Sequence, residues 1–311
     1  MGFDLEALRE AVKTHGKVTR VVIAAIKGSS PREVGAAMLV WKDGQSGTIG
    51  GGVLEYEAAQ AARTQIVSSR LTHHALGPDM GQCCGGAVSL FSEVFDANAV
   101  DALDDTVIAR TAAGGDMPLS VKRLLAAARG QGIAPDPQLI DGWMVEPVHK
   151  PARNLWIWGA GHVGRALVDV LAPLPDLAIT WVDTAPERFP NTVPNGVTVV
   201  PVAKPAELVR HAPTNAEHLV LTYSHNLDLE LCNRLLSHDF RFAGLIGSAT
   251  KWARFRSRLA ALGHIPERIN RITCPIGDPG LGKHPQMIAV GVAADLLRPA
   301  RQNELKKDLS A

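Results

Sequence analysis

The sequence predicts an α/β protein in which an N-terminal α+β domain, residues 1–150, precedes a domain built on a doubly wound parallel sheet, residues 151–311. Three observations predict this class. The chain of 311 residues is longer than most single domains. After residue 151, strand-like and helix-like segments alternate strictly, which is typical of a parallel sheet. Between residues 113 and 152, frequent Gly and Pro mark a change of pattern, so we place the domain boundary close to Pro151.

The composition is that of a globular protein with little net charge. Apolar residues make up 46% of the chain, and 32 Lys and Arg nearly balance 31 Asp and Glu. No long-range field would attract nucleic acid or an anionic membrane, so neither is an expected partner. No stretch approaches the roughly 18 to 20 apolar residues of a membrane span, and the charged N-terminus lacks a signal-peptide core. We therefore expect a cytoplasmic protein whose four cysteines are reduced.

The N-terminal domain is predicted to mix helices with strands. Asp4 is an N-cap candidate, and Leu8 and Val12 continue an apolar face at helical spacing, so residues 4–15 are predicted to form a helix. Apolar, partly β-branched runs predict strands, and Gly-free and Pro-free runs predict helices. The strands are expected at 18–26, 36–41, after the Asp43-Gly44 turn, at 87–95 and at 143–146, and the helices from 53, near 98–113 and at 120–129.

The C-terminal domain is predicted to alternate strands and helices. The strands are expected at 154–161, 177–183, 196–201, 217–224 and 240–247, and the helices from 162, 204, 226 and 248. Such alternation indicates a parallel, doubly wound sheet.

A glycine motif lies where the first of these strands meets its helix. Gly159, Gly161 and Gly164 occupy the positions of G-x-G-x-x-G, in the strand-before and helix-after context that marks a Rossmann-like phosphate-binding turn. Asp183 ends the next strand, nineteen residues after Gly164, where an acidic side chain can bind a ribose diol. The motif predicts a phosphate-bearing ligand at this turn, with a nucleotide as one candidate; the alternative is that the glycines serve strand-helix packing alone.

Three glycine-punctuated loops occur in the N-terminal domain. They are KGSSPREVG at 27–35, GTIGGGVLE at 47–55 and GPDMGQCCGG at 77–86. Each exposes backbone amides, and the first adds the hydroxyls of Ser29 and Ser30 and the guanidinium of Arg32. This donor set suits an oxyanion, although plain loop geometry also explains the glycines.

The adjacent cysteines of the third loop, Cys83 and Cys84, leave several interpretations open. A disulfide between them is disfavoured, since neighbouring Cα atoms lie about 3.8 Å apart and bridged cysteines need about 4.4 to 6.8 Å. A zinc site with His73 and His74 lacks the usual ligand spacing. Redox chemistry of an exposed thiol, burial of both thiols as small apolar groups, and a soft contact surface for a metal-sulfur cofactor remain.

Six motifs occur in order along the chain: GSSPREVGAAMLV, GTIGGGVLE, GQCCGGAV, WIWGAGHVGRAL, GLIGSATKWARF and CPIGDPGLGKHPQMIAVGVAADLL. Together they resemble the xanthine dehydrogenase accessory protein family, XdhC, which is related to CoxI-type maturation factors. The resemblance spans about residues 17 to 297, nearly the whole chain. In two places this chain departs from many relatives: Val53 stands where they carry a cysteine, and Tyr223 where they often carry a histidine.

The resemblance implies a non-enzymatic chaperone of the molybdenum cofactor, molybdopterin, in xanthine dehydrogenase maturation and hence purine catabolism. Such a protein shields the cofactor while a cysteine desulfurase and associated insertion proteins act, and passes it to the large, molybdenum-binding subunit of xanthine dehydrogenase. Exposed loops that must meet an acceptor favour a homodimer that leaves one face open.

The resemblance also implies which residues contact the cofactor. Residues of the third loop would face it, with one thiol touching the molybdenum, and donors of the first two loops would bind its phosphate or pterin. The implied contacts are Gln82, Cys83, Cys84, Gly85, Gly86, Ser30, Arg32, Gly50, Gly51 and Gly52.

Two further side chains are candidates for cofactor binding in the second domain. His225 follows a strand end and would line a cleft or serve as a hydrogen-bonded structural residue, and Lys251 at a helix start would meet a phosphate or solvent. Two other functions stay open at this point: an NAD-dependent oxidoreductase that uses the Gly159 turn, and a sulfur-transfer enzyme that carries a persulfide on Cys83 or Cys84.

Overall fold

The computed structural model describes residues 2–76 and 85–298. The chain divides into two compact units, residues 1–149 (unit 1) and residues 150–311 (unit 2). The boundary predicted between residues 150 and 151 lies one residue from this division. Gln82, Cys83 and Cys84 fall outside the described residues.

Unit 1 is built around an antiparallel sheet of strands β1 to β5 in the order β3-β2-β1-β5-β4. Central β1 is long and mostly buried because it pairs with β2 on one side and β5 on the other. The strands are β1 (Val18–Lys27), β2 (Ala37–Trp41), β3 (Gly44–Gly47), β4 (Ser69–Ala75) and β5 (Ala87–Phe95).

Helices and a smaller sheet complete unit 1. The side chain of Asp4 accepts from the amide of Ala7 and so caps the first helix, as expected from the sequence. A second antiparallel sheet has the order β6-β8-β7. The helices are α1 (Leu5–His15), α2 (Gly52–Arg63), α3 (Ala97–Asp101) and α4 (Leu119–Gln131), and the strands are β6 (Val107–Thr111), β7 (Gln138–Ile140) and β8 (Trp143–Pro147).

Unit 2 is a parallel sheet with helices on both faces. Its strand order, β11-β10-β9-β12-β13-β14, reads 3-2-1-4-5-6 along the unit and is that of a Rossmann domain. The strands are β9 (Arg153–Trp158), β10 (Leu177–Asp183), β11 (Val197–Pro201), β12 (Glu217–Val220), β13 (Phe242–Leu245) and β14 (Ile272–Thr273). The helices are α5 (His162–Leu171), α6 (His225–Leu236), α7 (Ala249–Ala261), α8 (Pro266–Ile269) and α9 (Pro285–Leu297). The predicted fold class is confirmed.

Strand β9 shows why the sheet is covered on both faces. Leu155 and Ile157 pack into a cluster with α5 and α9, whereas Trp156 and Trp158 pack into a cluster with α6 and α7. Alternate residues of a strand point to opposite faces, so one apolar segment supplies both layers of the core. Helices α5 and α9 therefore lie on one face of the sheet, and α6 and α7 on the other.

Two expectations about helices are wrong. The helix expected near 98–113 ends at Asp101, and residues 107–111 form β6. The carboxylate of Asp104 accepts from the amide and hydroxyl of Thr106, which turns the chain. Strand β6 then pairs with β8, so tertiary pairing overrides the local helix propensity.

The helix expected from residue 204 is a 3-10 helix, Pro205–His211. Pro205 starts this helix, and Pro213 two residues after its end prevents a longer one. Strand β4 was not predicted from the sequence, and strands β12 and β13 are shorter than expected.

None of the helices in the described part of the chain has both the length and the apolar character needed to cross a membrane.

Candidate functional site

The three glycine loops of unit 1 lie at one edge of its five-stranded sheet. Antiparallel register places Lys27, the end of β1, opposite Ala87, the start of β5, and Ala75, the end of β4, opposite the same residue. Gly47, the end of β3, lies opposite Met38 near the start of β2. The chain therefore leaves or enters the sheet at this edge five times, so the described ends of the three loops lie at the same edge.

The first loop contacts both of the others. A Cβ atom on Gly86 would lie 2.0 Å from the carbonyl oxygen of Ser29, and one on Gly50 would lie 2.7 Å from Cγ of Pro31. These distances are too short for any side chain, so glycine is required at both positions. Gly50 also has a φ of +126°. Loop 27–35 is thus packed against loop 47–55 on one side and against the base of loop 77–86 on the other.

The described part of the cysteine loop is its base. The amide of Leu76 donates to the carbonyl oxygen of Gly86 at 2.7 Å and closes the loop. Gly85 is exposed and Gly86 is half-buried. The expected contacts of Gln82, Cys83 and Cys84 with the cofactor lie outside the described residues and stay predictions.

An internal carboxylate binds amides of the second loop. Glu55 accepts from the amides of Ile49 at 2.9 Å and Gly51 at 3.0 Å, and from the hydroxyl of Thr48. The amide of Gly50 donates to the Thr48 hydroxyl at 3.1 Å. A ligand phosphate at the amides of Gly50 and Gly51 would have to compete with these bonds.

The pKa of Glu55 reflects these bonds. Burial raises the pKa, but the hydrogen bonds from Thr48 and from the loop amides lower it more, so the net pKa lies below the usual value. Sequence reasoning missed Glu55, although an acidic residue in the first turn after a glycine triplet is a signal for such a cap. Gly52 begins α2, and the N-cap residue Gly51 has no side chain, so Glu55 provides the side-chain acceptor at this end of the helix.

Ser30 and Arg32 are engaged within the first loop. The Ser30 hydroxyl donates to the carbonyl oxygen of Arg32 at 2.8 Å, which fixes the turn. The Arg32 guanidinium lies 3.3 Å from the carboxylate of Glu33, and this contact lowers the pKa of Glu33. The Arg32 side chain keeps 31% of its surface exposed.

In unit 2, the glycines of the Gly159 turn have different functions. A Cβ on Gly164 would lie 2.0 Å from the carbonyl oxygen of Gly159, and Gly159 itself has a φ of +124° and lies against Leu221. These two glycines allow the close packing of strand, turn and helix. A Cβ on Gly161 would meet no atom within 4 Å, and no described side chain caps α5. Gly161 therefore marks the open part of the turn.

Asp183 is buried at the end of β10 and is bound by the protein itself. One carboxylate oxygen accepts from the amide of Ala160 at 2.6 Å, and the other accepts from the amide of Thr184 at 2.6 Å. The guanidinium of Arg188 lies 3.4 Å away. The structure thus uses Asp183 to hold the glycine turn, and a ribose diol would have to compete with these bonds.

His225 and Lys251 line one groove between α6 and α7, with a volume of about 720 Å³. The Lys251 ammonium donates to the buried carboxylate of Asp228 at 2.7 Å and to the carbonyl oxygen of Ile246 at 2.8 Å. Asp228 in turn accepts from the amide and the hydroxyl of Thr222. The ion pair therefore ties together the loops that follow β12 and β13, a function that the sequence did not predict.

The histidines of the zinc alternative are bound to hydroxyls. A ring nitrogen of His73 lies 2.8 Å from Ser89 Oγ, and one of His74 lies 2.9 Å from Thr72 Oγ1. As neighbours in β4 the two rings point to opposite faces of the sheet. Among residues 2–76 and 85–298, no three His, Cys, Asp or Glu side chains are arranged to hold a metal ion.

Comparisons with known proteins match both units. A family model described as the XdhC Rossmann domain matches residues 155–296, and one described as the XdhC and CoxI family matches residues 11–74. The uncharacterized protein YqeB of Escherichia coli is 27% identical over 285 residues, which cover 88% of this chain and 41% of YqeB. The chain thus spans about two fifths of the length of this curated relative.

A solved structure shows the same fold. The crystal structure of a protein described as a xanthine dehydrogenase from Bacillus halodurans superposes with a TM-score of 0.67 at 20% identity, over 96% of both chains.

Proposed function

The chain belongs to the XdhC and CoxI family, and on that premise we propose that it is an accessory protein of xanthine dehydrogenase maturation. In this proposal it binds the molybdenum cofactor as cargo, shields it during sulfuration and delivers it to the large subunit of the dehydrogenase. A cysteine desulfurase and cofactor insertion proteins are the proposed upstream partners. The protein would act in the cytoplasm and catalyse no reaction of its own.

The observation that carries this proposal is the convergence of the three glycine loops at one sheet edge. Loop 27–35 contacts the other two through Gly50 and Gly86, so the base of the cysteine loop lies beside the loop that carries Arg32. A phosphate-bearing pterin with a metal-sulfur centre needs a cation for one end and soft, polarisable contacts for the other. The described base of the cysteine loop, at Gly86, supports this proposal because it contacts the loop that carries Arg32.

Among the described donors, the Arg32 guanidinium is better suited to bind the phosphate of this cargo than the glycine amides are. The guanidinium has five N–H donors in a planar fork that matches a phosphate, and the side chain is partly exposed. Its pair with Glu33, whose side chain is 51% exposed, is a surface contact of the kind that contributes little stability. The amides of Gly50 and Gly51 are already bonded to Thr48 and Glu55. We therefore propose Arg32 as the phosphate contact, with the glycines allowing close approach of the backbone.

The bound cargo supplies a molybdenum centre that carries a terminal sulfur ligand. Either Cys83 or Cys84 would contact this centre. Ser30 would act indirectly, because its hydroxyl fixes the turn that presents Arg32. Gly85 and Gly86 would let the cysteine loop lie flat against the cargo, since a side chain at Gly86 would collide with Ser29.

The test is retention of the pterin. We would mix the full chain with molybdopterin under anaerobic conditions, remove unbound cofactor by gel filtration, oxidise the protein fraction and measure the fluorescent pterin. The wild-type protein should retain the pterin, and Cys83→Ala or Cys84→Ala should lose most of it. Cys274→Ala in unit 2 is the matched control and should retain it.

The need to transfer the cofactor to the dehydrogenase limits how tightly the protein can bind it. A carrier that must release its cargo should bind with a dissociation constant nearer to micromolar, about −8 kcal/mol, than to picomolar, about −16 kcal/mol. Pterin retention that is unchanged in both cysteine variants would refute the thiol assignment. Tight binding of NADH with turnover would favour an oxidoreductase instead.

A further inference from the structure

We propose that the groove between α6 and α7 of unit 2 binds a phosphorylated small molecule through Arg254 and Arg258. Neither arginine belongs to the glycine loops or to the Gly159 turn, and α7 lies on the opposite face of the sheet from α5. The groove has a volume of about 720 Å³, and sites for small molecules and cofactors have about 300 to 1,000 Å³. It is therefore large enough for a ligand of nucleotide size.

One face of α7 supplies most of the groove. Thr250, Lys251, Arg254, Ser257 and Arg258 all line it, and their spacing of one, three or four residues places them along a single side of the helix. Residues 251 and 258 are seven apart, a rise of about 10 Å along the axis. The groove wall thus presents cations and hydroxyls in a row, and none of the described residues that line it is acidic.

The charge of this row comes from the two arginines. Lys251 is neutralised by Asp228, whose carboxylate lies 2.7 Å from the ammonium, and the lysine side chain is only 12% exposed. Arg254 and Arg258 are exposed, and neither forms a salt bridge with any residue that the structure describes. Arg254 and Arg258, which lie one helical turn apart, therefore carry the uncompensated positive charge of this row, because the charge of Lys251 is balanced by Asp228.

The chemistry of the row favours phosphate over other anions. Guanidinium forks form paired hydrogen bonds to phosphate oxygens, and the hydroxyls of Ser257 and Thr250 can donate to the remaining ones. The groove also begins at Ser248, the N-cap of α7, where the helix dipole favours negative charge. With two arginines one turn apart, a diphosphate group can contact both.

A phosphate site in the groove would explain the positive charge of α7, a helix that does not belong to the proposed cargo site. Helix α7 carries Lys251, Arg254, Arg256 and Arg258 and no acidic residue. Arg256 is exposed but does not line the groove. It offers a control that removes the same charge from the same helix.

The experiment is calorimetric titration of the full-length protein with pyrophosphate and with ADP. Both should bind, and Arg254→Gln or Arg258→Gln should each weaken binding about tenfold, since each removes charge-assisted hydrogen bonds to the phosphate. Arg256→Gln should change the affinity less than about twofold, because Arg256 does not line the groove and its charge acts on the ligand only through solvent. Circular dichroism of each variant would confirm that the fold is intact, and Arg258→Lys should bind with intermediate affinity.

Four outcomes would overturn the proposal. Absence of pyrophosphate binding to the wild-type protein would show that the groove is not a phosphate site. Equal weakening by Arg256→Gln would show diffuse attraction rather than a groove, and equal affinity for citrate would show that phosphate is not selected. If pyrophosphate binds but ADP does not, the proposal that the groove accepts a ligand of nucleotide size is wrong. None of these results depends on pterin retention at the cysteine loop, so the two proposals fail independently.

Discussion

Carboxylates within the chain accept hydrogen bonds from glycine-rich turns in both units. Glu55 binds the amides of Ile49 and Gly51, and Asp183 binds the amide of Ala160. Amides that are exposed by a tight glycine turn need acceptors, and an unpaired one that is shielded from water costs about 1 to 3 kcal/mol. Each carboxylate therefore stabilises the turn whose amides it binds.

The substitution Glu55→Gln is expected to destabilise unit 1. A glutamine retains one acceptor oxygen but loses the charge, so we expect a loss of about 1 to 2 kcal/mol in the free energy of unfolding at neutral pH. Urea denaturation followed by circular dichroism would measure it. Glu57→Gln, also on α2, is the control.

The effect of Glu55 should depend on pH. Because its folded-state pKa lies below the unfolded-state value, its contribution is fully present above the usual carboxyl range and is lost as the pH falls through the folded-state pKa. The difference between wild type and Glu55→Gln should therefore shrink in acid. A difference that stays constant from neutral to acidic pH would show that the charge of Glu55 is not responsible.

The thiols of unit 2 should be unreactive in the native protein. Burial raises the pKa of Cys274 to about 11, and it raises the pKa of Cys232 further. At pH 8 a thiol with a pKa near 11 is ionised in about one molecule in a thousand, and the thiolate is the nucleophile. In the variant Cys83→Ala/Cys84→Ala, whose remaining cysteines are Cys232 and Cys274, we expect no rapid alkylation by iodoacetamide, measured by mass spectrometry. Rapid labelling of Cys274 in that variant would contradict the expectation.

At the scale of elements, buried ion pairs join the two sheets of unit 1. Arg20 on β1 forms two hydrogen bonds with Glu146 on β8, and Arg110 on β6 bridges Glu146 and Glu93. Both guanidinium groups lie over the ring of Phe3, at 4.2 and 4.8 Å from its centroid. The network couples the N-terminal segment, the central strand and the smaller sheet.

The substitution Glu146→Gln should destabilise unit 1 strongly. It leaves Arg20 buried with a weakened partner, and disruption of a buried ion pair from one side costs about 3 to 5 kcal/mol. Glu6→Gln, which removes an exposed partner of Arg9 on α1, should cost less than about 1 kcal/mol. Thermal unfolding of both variants would measure the contrast. Equal losses would show that burial of the network is not what makes it stabilising.

At the scale of the whole molecule, each unit has its own core. The clusters around Trp158 and around Leu167 draw all of their residues from unit 2, and those around Ile23 and Leu8 draw all of theirs from unit 1. A unit of about 150 residues is large enough to bury a sufficient core alone. We therefore expect each unit to fold independently of the other.

A fragment of residues 150–311 is therefore expected to fold by itself. Its circular dichroism spectrum should show a mixed helix and strand protein, and its thermal transition should be cooperative. The buried Trp158 and Trp181 give it a fluorescence signal that reports the core. A fragment with no cooperative transition, or with fully exposed tryptophans, would contradict the prediction.

Local pattern in the sequence was sufficient for the fold class and for several element bounds. Leu155 to Trp158 followed by the Gly159 turn predicts a buried strand, a tight turn and a helix, and the structure has all three. These features depend on neighbours within a few residues, so the sequence displays them directly. The separation of the chain near residue 150 follows from the same local signals, a change in pattern and a run of Gly and Pro.

The sequence by itself thus determined the order of most elements, the alternation of unit 2 and the glycine turns, because local periodicity and backbone geometry encode them. Only the tertiary structure decided that β6 replaces the end of a helix, that Glu55 and Asp183 bind the turns, and that Lys251 pairs with Asp228. Each of these depends on a partner brought close by folding. A strand needs the edge of another strand, and a buried charge or amide needs a complement, so the outcome is set by spatial neighbours that no local pattern specifies.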